Sequence, residues 1–286
     1  METLNADVWI IGSGAAGLMA AIAAAQAGAG VRVLGKEAPG RGTATERSGG
    51  AFSGAWGGLS VEAQRERTLT AGRGINRAEL VDVLAADGPA RFRDLVDWGM
   101  PHRTTPGALR ASRIAGDEMG AVPLWGIEIV RCLEARARTL GVQFLDETVV
   151  TNIQAGADGV RIAVLRSGGE GVLTLLGGAA ILAAGGAGGL YLHHDNPARG
   201  TGDAYALALG AGAELQDMEF VQFYPITLAE PGKTRILLEP DEADQGIIRN
   251  DKGENILEKH GITERPAARH ARDSLSQALF REMELD

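Results

Sequence analysis

Ile10-Ile11-Gly12-Ser13-Gly14-Ala15-Ala16-Gly17-Leu18 decides how this chain folds. The apolar run from Val8 to Ile11 reads as a buried parallel strand, and the alanine-rich run from Ala15 to Ala27 as a helix. The three glycines therefore fall on a strand-to-helix turn, the context a dinucleotide fingerprint requires. Gly12 permits the tight turn, Gly14 lets the main chain approach a pyrophosphate, and Gly17 allows the helix to pack closely on the sheet. Ser13, Ala15 and Ala16 complete a loop whose helix N-terminus favours phosphate charge. A purely structural glycine turn is the plainer reading of such a motif. Here Gly28 or Gly30 ends the helix and Val31 to Leu34 supplies a second strand, which completes a βαβ unit and favours the dinucleotide.

With 286 residues, 45% of them hydrophobic, the chain can bury a core as a soluble protein of one large domain or two. Its 41 glycines are about twice the usual share of about 7%, without collagen-like periodicity. A net charge of -9 argues against nucleic acid as a partner, since nothing offsets repulsion by phosphates. Cys132 has no second cysteine to pair with and lies on a helix-like run, so it reads as a buried, inert thiol in a reducing compartment. No run of about 18 apolar residues is present to form a transmembrane segment. The polar start, Met1 to Asp7, leads straight into a strand and does not resemble a cleaved signal.

Many dinucleotide folds place an acidic residue at the end of the second strand to bond the adenosine ribose, but this chain has Gly35 there. Main chain, Lys36 or Glu37 is left to take that part. Pro39 to Gly58 reads as a long irregular glycine-rich loop, too long for a simple connector, and such loops tend to bind ligands. Asn76 with Glu79 predicts a cap before a helix carrying Leu80, Val81, Val83 and Leu84, and a second helix runs through Phe92, Leu95, Val96 and Trp98. His102, Arg103, Arg110 and Arg113 follow in an irregular region where His102 is more simply a solvated or core residue than a catalyst. A helical stripe from Trp125 through Ile129, Val130, Leu133 and Leu140 stops at Gly141. Strands are then predicted at Gln143 to Leu145, Val149 to Ile153, Val160 to Leu165, Val172 to Leu176 and Ala180 to Ala183, an antiparallel meander before a last parallel strand. That strand ends in a second glycine-rich turn, Ala184 to Gly189, at the carboxyl end where ligands bind in open α/β sheets. Thr201-Gly202-Asp203 caps a short helix, and Glu230 to Lys233 reads as a domain boundary. His193 and His194 are adjacent rather than at ligand spacing, so no metal site is read. Beyond the boundary, Ser274 to Met283 is amphipathic.

The order of these motifs resembles the flavoprotein subunits of succinate dehydrogenase and fumarate reductase, a family that includes L-aspartate oxidase. Gly12 to Gly17 is followed by Ser48-Gly49-Gly50, Asp146-Glu147, Ala183-Ala184-Gly185-Gly186, Thr201-Gly202-Asp203-Ala204 and the run from Gln216 to Pro225. The resemblance implies an α/β fold: a Rossmann-like FAD-binding domain with an inserted antiparallel β meander over residues 1–231, then the beginning of a capping domain over 232–286. It implies FAD held by the first glycine turn, Lys36, the loop from Thr43 through Ser48, Gly49 and Gly50, Val149 and Val150 beside the adenine, Ala184, Gly185 and Gly186, and Asp203. It implies a small-molecule substrate such as a dicarboxylate, an iron–sulfur electron-transfer partner, and a cytoplasmic chain peripheral to the inner face of the membrane through that partner.

Four departures bear on these implications. Thr43 stands where covalent flavin members carry histidine, so the flavin is expected to be non-covalent. Tyr224 stands where the family often has a histidine that binds a substrate carboxylate, and its phenol donates a hydrogen bond without positive charge. Glu239 fits the first member of the family's proton relay, but Glu242 replaces the arginine three residues on, and Leu238 replaces a substrate-contacting threonine. Ala271 to Ala278 resembles the segment whose arginine exchanges a proton with substrate, which carries that role to Arg272. Read from residue chemistry alone, Arg272 is a solvated arginine near a helix start. The leading expectation is a flavin-dependent oxidoreductase exchanging hydride between flavin N5 and a substrate carbon. A flavin-binding electron-transfer component without its own substrate reaction is the alternative, and a nicotinamide-dependent dehydrogenase fits the meander less well.

Overall fold

The computed structural model describes residues 3–48, 51–56, 58–100, 113–114, 117–118, 121–123, 126–166, 172–227, 237–238 and 243–284. Two units follow one another along the chain, Met1–Leu215 and Gln216–Asp286.

In chain order the strands of the first unit are β1 (Thr3–Ile11), β2 (Val31–Leu34), β3 (Ala51–Ser53), β4 (Arg113–Ile114), β5 (Asp117–Glu118), β6 (Ala121–Pro123), β7 (Gln143–Leu145), β8 (Thr148–Gly156), β9 (Gly159–Arg166) and β10 (Val172–Leu182). Its helices are α1 (Ala15–Gln26), α2 (Ala44–Arg47), α3 (Val61–Ala71), α4 (Ala78–Asp97), α5 (Gly126–Thr139) and α6 (Asp203–Gly210). Six strands form one sheet in the order β7-β2-β1-β10-β9-β8. The pairs from β7 to β10 are parallel, and β10, β9 and β8 form the antiparallel meander.

Successive side chains of a strand point to opposite faces, and β1 uses this to serve two cores. Ile10 joins Leu18 and Ile22 of α1, Val33 of β2, and Val130 and Leu133 of α5. Trp9 and Ile11 join Leu34, Val150, Ile162, Val164 and Leu175 on the other side. Trp9, Ile10, Leu18 and Leu175 are fully buried, and each large apolar side chain removed from water stabilises the fold by about 1.5–3 kcal/mol. The fingerprint turn is thus clamped between two packed faces at the centre of the sheet.

Several elements differ from the sequence expectation. The two strands expected at 172–176 and 180–183 are one continuous β10. Gly177-Gly178 does not break it, because it makes room for a neighbour: a Cβ on Gly177 would lie 2.6 Å from the Trp9 ring and 2.8 Å from the Ala6 carbonyl. The Trp9 indole donates to the Leu176 carbonyl at 2.8 Å. Likewise, the two helices expected around 80–98 are one, α4, running through Gly88 and Pro89. Its buried residues Val81, Ala85, Phe92 and Leu95 keep one helical stripe across the proline, whereas Leu80, Val83 and Leu84 are exposed rather than packed. Asn76 does not cap it; the Asn76 amide donates to the Thr68 carbonyl at 3.2 Å, and Arg77 occupies the cap position. Helix α3 has no counterpart in the sequence reading. None of its residues is buried, so it lacks an apolar stripe, and its only local signal is Ser60, whose hydroxyl accepts from the Ala63 amide at 3.1 Å. The loop expected at 39–58 contains α2 and β3, the latter paired antiparallel with β6.

The second unit is built from short helices, Ile256–Lys259 and Ala267–His270, and a longer one, Arg272–Glu284. Ile256, Leu257, Ile262, Ala268, Leu275 and Ala278 are its core. Asn255 caps the first helix by accepting from the Leu257 amide at 3.1 Å. Among the described residues no helix is long and apolar enough to cross a membrane.

Candidate functional site

Two of the three fingerprint glycines, Gly12 and Gly17, are required by contact, and Gly12 by conformation as well. Gly12 has φ +110°, and a Cβ there would sit 2.2 Å from the Ala183 carbonyl oxygen. On Gly17, which is helical, a Cβ would sit 1.9 Å from the Gly12 carbonyl oxygen. Helix α1 is thereby brought down onto the turn, and the turn onto the end of β10. Ala184, Gly185 and Gly186 continue from that point, with Gly185 at φ +80° and the Gly186 carbonyl accepting from the Gly202 amide at 3.2 Å. The two glycine turns, far apart in sequence, are neighbours in space.

Around them the polar groups are committed to specific partners. Ser13 is buried and its hydroxyl accepts from the Gly40 amide at 3.0 Å, which fastens the fingerprint to the following loop. The Ala15 amide donates to the Thr45 hydroxyl at 3.1 Å, so one donor of the α1 first turn is used within the protein. Thr43 caps α2: its hydroxyl accepts from the Glu46 amide at 3.1 Å and donates to the Gly40 carbonyl at 2.8 Å. Ser48 follows at the α2 C-terminus, and its carbonyl accepts from the Gly126 amide at 2.7 Å. A Cβ on Gly14 would face Thr45 and Thr43 at 3.6 and 3.8 Å, which places the turn opposite this loop. Gly49 and Gly50 lie outside the described residues.

At the end of β2, Gly35 is packed: a Cβ would meet the Glu37 carbonyl oxygen at 2.8 Å and the Ser13 hydroxyl at 3.3 Å. An acidic side chain has no room at that position. Next to it opens a cleft of about 660 Å³ bordered by Lys36, Val149, Val150, Arg199, Asp203 and Leu207 among others. Val149 presents an exposed side chain, while Val150 packs into the second core. Lys36 forms a salt bridge with Asp203 and donates to the Arg199 carbonyl at 2.9 Å. Arg199 returns a bond to the Lys36 carbonyl at 3.0 Å and approaches the Glu37 carboxylate at 3.4 Å. Burial pushes the Asp203 carboxyl up, but the hydrogen bonds from Lys36 and Thr201, the Lys36 charge and a main-chain hydrogen bond hold the group below its ordinary value. The cleft therefore carries a fixed carboxylate beside fixed cations, with an apolar wall from β8. A glycine cradle without side chains, a helix N-terminus and a mixed polar cleft in one unit fit a dinucleotide with its phosphates on the turn.

Of the expected catalytic residues, Tyr224 and Arg272 come together in the second unit. The Arg272 guanidinium lies over the Tyr224 ring, 5.5 Å from its centroid. Its Nε donates to the Ala268 carbonyl at 3.3 Å, and the Tyr224 hydroxyl donates to the Leu238 carbonyl at 3.1 Å. Glu239 and Glu242 lie outside the described residues, as do His102, Arg103 and Arg110. Sequence reasoning did not assign Arg199 to the site, and took in Thr45 only as part of the loop from Thr43 to Gly50. The only local hint of Arg199 is its place two residues before Thr201, and Thr45 is marked by nothing except membership in the glycine-rich loop. Cys132 is buried, and burial pushes its thiol up, as expected of an inert side chain.

Comparison with known proteins agrees with this geometry. The family described as FAD binding domain matches residues 7–286. The fumarate reductase flavoprotein subunit of Escherichia coli is 31% identical over 99% of this chain and 50% of its own length. The L-aspartate oxidase of Streptomyces coelicolor is 34% identical over 79% of this chain and 41% of its own. A structure of E. coli quinol fumarate reductase superposes with a TM-score of 0.84 at 30% identity, covering 99% of this chain and 51% of that one. This chain spans about half the length of the curated relatives it matches. It belongs to the FAD binding domain family, as a relative of the fumarate reductase flavoprotein subunits and the L-aspartate oxidases.

Proposed function

We propose that the protein is an FAD-dependent oxidoreductase of the succinate dehydrogenase/fumarate reductase type, acting on a carbon–carbon single or double bond of a small carboxylate. The observation that carries this reading is the meeting of the two glycine turns beside the Lys36–Asp203 cleft. Gly12 to Gly17 would hold the pyrophosphate, Lys36 and Asp203 the sugar portions, and Val149 one face of the adenine. Bound FAD supplies the atom, N5, that gives or takes hydride. Reduction of a double bond needs one hydride and one proton, and Arg272 handles the proton at the neighbouring carbon. Because a guanidinium holds its proton tightly, an arginine serves this way only when fixed against the carbon and resupplied by a carboxylate; Glu239 is the proposed supplier. The flavin is held without a covalent link, because the Thr43 hydroxyl is occupied as a helix cap and threonine offers no ring nitrogen to alkylate. Electrons are exchanged with an iron–sulfur partner at the membrane surface; that there is a partner is supported by relatives named as flavoprotein subunits.

The test is reconstitution. The protein loaded with FAD should be yellow, should release all its flavin into the supernatant on acid precipitation, and should reoxidise a reduced viologen dye with fumarate. Absence of bound flavin sinks the reading. A yellow protein that exchanges electrons with dyes but with no enoate or succinate supports an electron-transfer component instead.

A further inference from the structure

We infer that Tyr224 is a positioning residue for Arg272, a platform that orients the guanidinium, and that its hydroxyl is not a donor to substrate. The inference rests on the proposed proton-handling role of Arg272. The guanidinium lies 5.5 Å from the Tyr224 ring centroid, inside the range of a cation–π contact. Two further bonds remove the remaining freedom. The phenol is tethered by its bond to the Leu238 carbonyl at 3.1 Å, and the Arg272 Nε to the Ala268 carbonyl at 3.3 Å. The main chain of Arg272 is itself held, since its carbonyl accepts from the Ser276 hydroxyl at 2.8 Å. Both side chains are half-buried. The Arg272 guanidinium thus meets the Tyr224 ring and, through Nε, the Ala268 carbonyl.

The chemistry of the platform explains why a ring is used. A carboxylate partner would fix the guanidinium only by occupying its Nη donors and neutralising its charge. An aromatic face holds the same cation while leaving its charge and its outward N–H groups for an anionic ligand. The phenol oxygen, spent on a main-chain carbonyl, serves to fix the ring. Tyr224 therefore contributes through Arg272.

The full chain loaded with FAD, carrying ¹⁵N-labelled arginine, decides the matter with three variants. Arg272→Lys identifies the Arg272 side-chain signals by their loss. In the wild type those signals should be shifted upfield by the ring current; Tyr224→Phe should keep the shift and Tyr224→Leu should abolish it. With whichever of fumarate and crotonate the holoprotein reduces faster, Tyr224→Leu should lower kcat roughly 10- to 100-fold with KM little changed, as misplacement of a reacting group by about 1 Å does, and Tyr224→Phe should restore it. An unshifted wild-type signal, or one that survives in Tyr224→Leu, overturns the inference even where neither enoate is reduced. Full turnover by Tyr224→Leu with Arg272→Lys inactive overturns the inference alone. Full turnover by Arg272→Lys instead overturns the proton-handling reading beneath it.

Discussion

Gly17 shows how much a single hydrogen atom decides in this fold. Its helical backbone would accept alanine, yet the added methyl would press on the Gly12 carbonyl at 1.9 Å. Helix and turn would have to separate, and overpacking of this kind costs about 1–3 kcal/mol. Gly17→Ala should lower the unfolding free energy by that amount, read as a lower denaturant midpoint at unchanged slope, and should lose bound flavin, measured by fluorescence on the same samples. Gly28, at φ +89° with nothing near it, is a contrast: Gly28→Ala should strain one residue and leave flavin binding intact. The roles of Gly12 in the turn and Gly17 in the helix packing were legible in the sequence, because strand, turn and helix are contiguous. The partners of Ser13 and Ala15 were not. Gly40 and Thr45 reach them from 27 and 30 residues away, and no local pattern marks which hydroxyl of a polar loop will turn inward.

Helix α4 makes the corresponding point for an element. Two segments broken by Gly88-Pro89 were expected, with Leu80, Val83 and Leu84 as packing residues, but the buried stripe is Val81, Ala85, Phe92 and Leu95. Tertiary packing overrides the local cost of the proline, since Phe92 and Leu95 enter the core shared with α5. Leu80→Gln or Val83→Gln should thus change stability by no more than about 0.5 kcal/mol. Phe92→Ala should cost about 3–5 kcal/mol. Equilibrium unfolding of the three variants checks both values, and equal costs would refute the assignment of faces. The continuous β10 has the same cause: its glycines look like a break along the chain and are a packing notch for Trp9 across the sheet.

Across the whole molecule, residues distant in sequence hold each unit together. In the second, Asn250, His260 and Lys259 converge on Glu282 at 2.7, 2.6 and 3.1 Å. The Glu282 side chain is 8% exposed, and these three hydrogen bonds, in that order, bring its carboxyl down from 4.5 to about 2. A carboxyl depressed on folding stabilises the native state above its unfolded pKa and loses that contribution as pH falls through the folded one. Stability of the second unit should therefore decline from about pH 4.5 down to about pH 2, and Glu282→Gln, weaker at neutral pH, should flatten the decline. Thermal unfolding followed by circular dichroism across that window is the check. For the first unit, FAD binding stabilises by mass action: at a free concentration 100 times Kd the gain is about 2.7 kcal/mol. A rise in unfolding temperature that grows with FAD concentration, and is missing in Gly17→Ala, ties cofactor to fold.

The α/β class, the fingerprint turn, the β8–β9 hairpin of the meander and the two glycine-rich strand ends were all readable from the amino-acid sequence, because each rests on periodicity and turn chemistry written over a few consecutive residues, whereas the parallel pairing of β7 with β2 and the continuity of β10 were not. The sequence also carried the family resemblance and, through it, FAD as the cofactor and the proposal that this turn holds it. Only the tertiary structure decided that the two turns touch, that Lys36 is bound to Asp203 and Arg199 to the end of β2, and that Tyr224 carries Arg272 on its ring. Those contacts join residues 48 to 172 positions apart. They depend on strand order and packing, which a linear pattern does not encode.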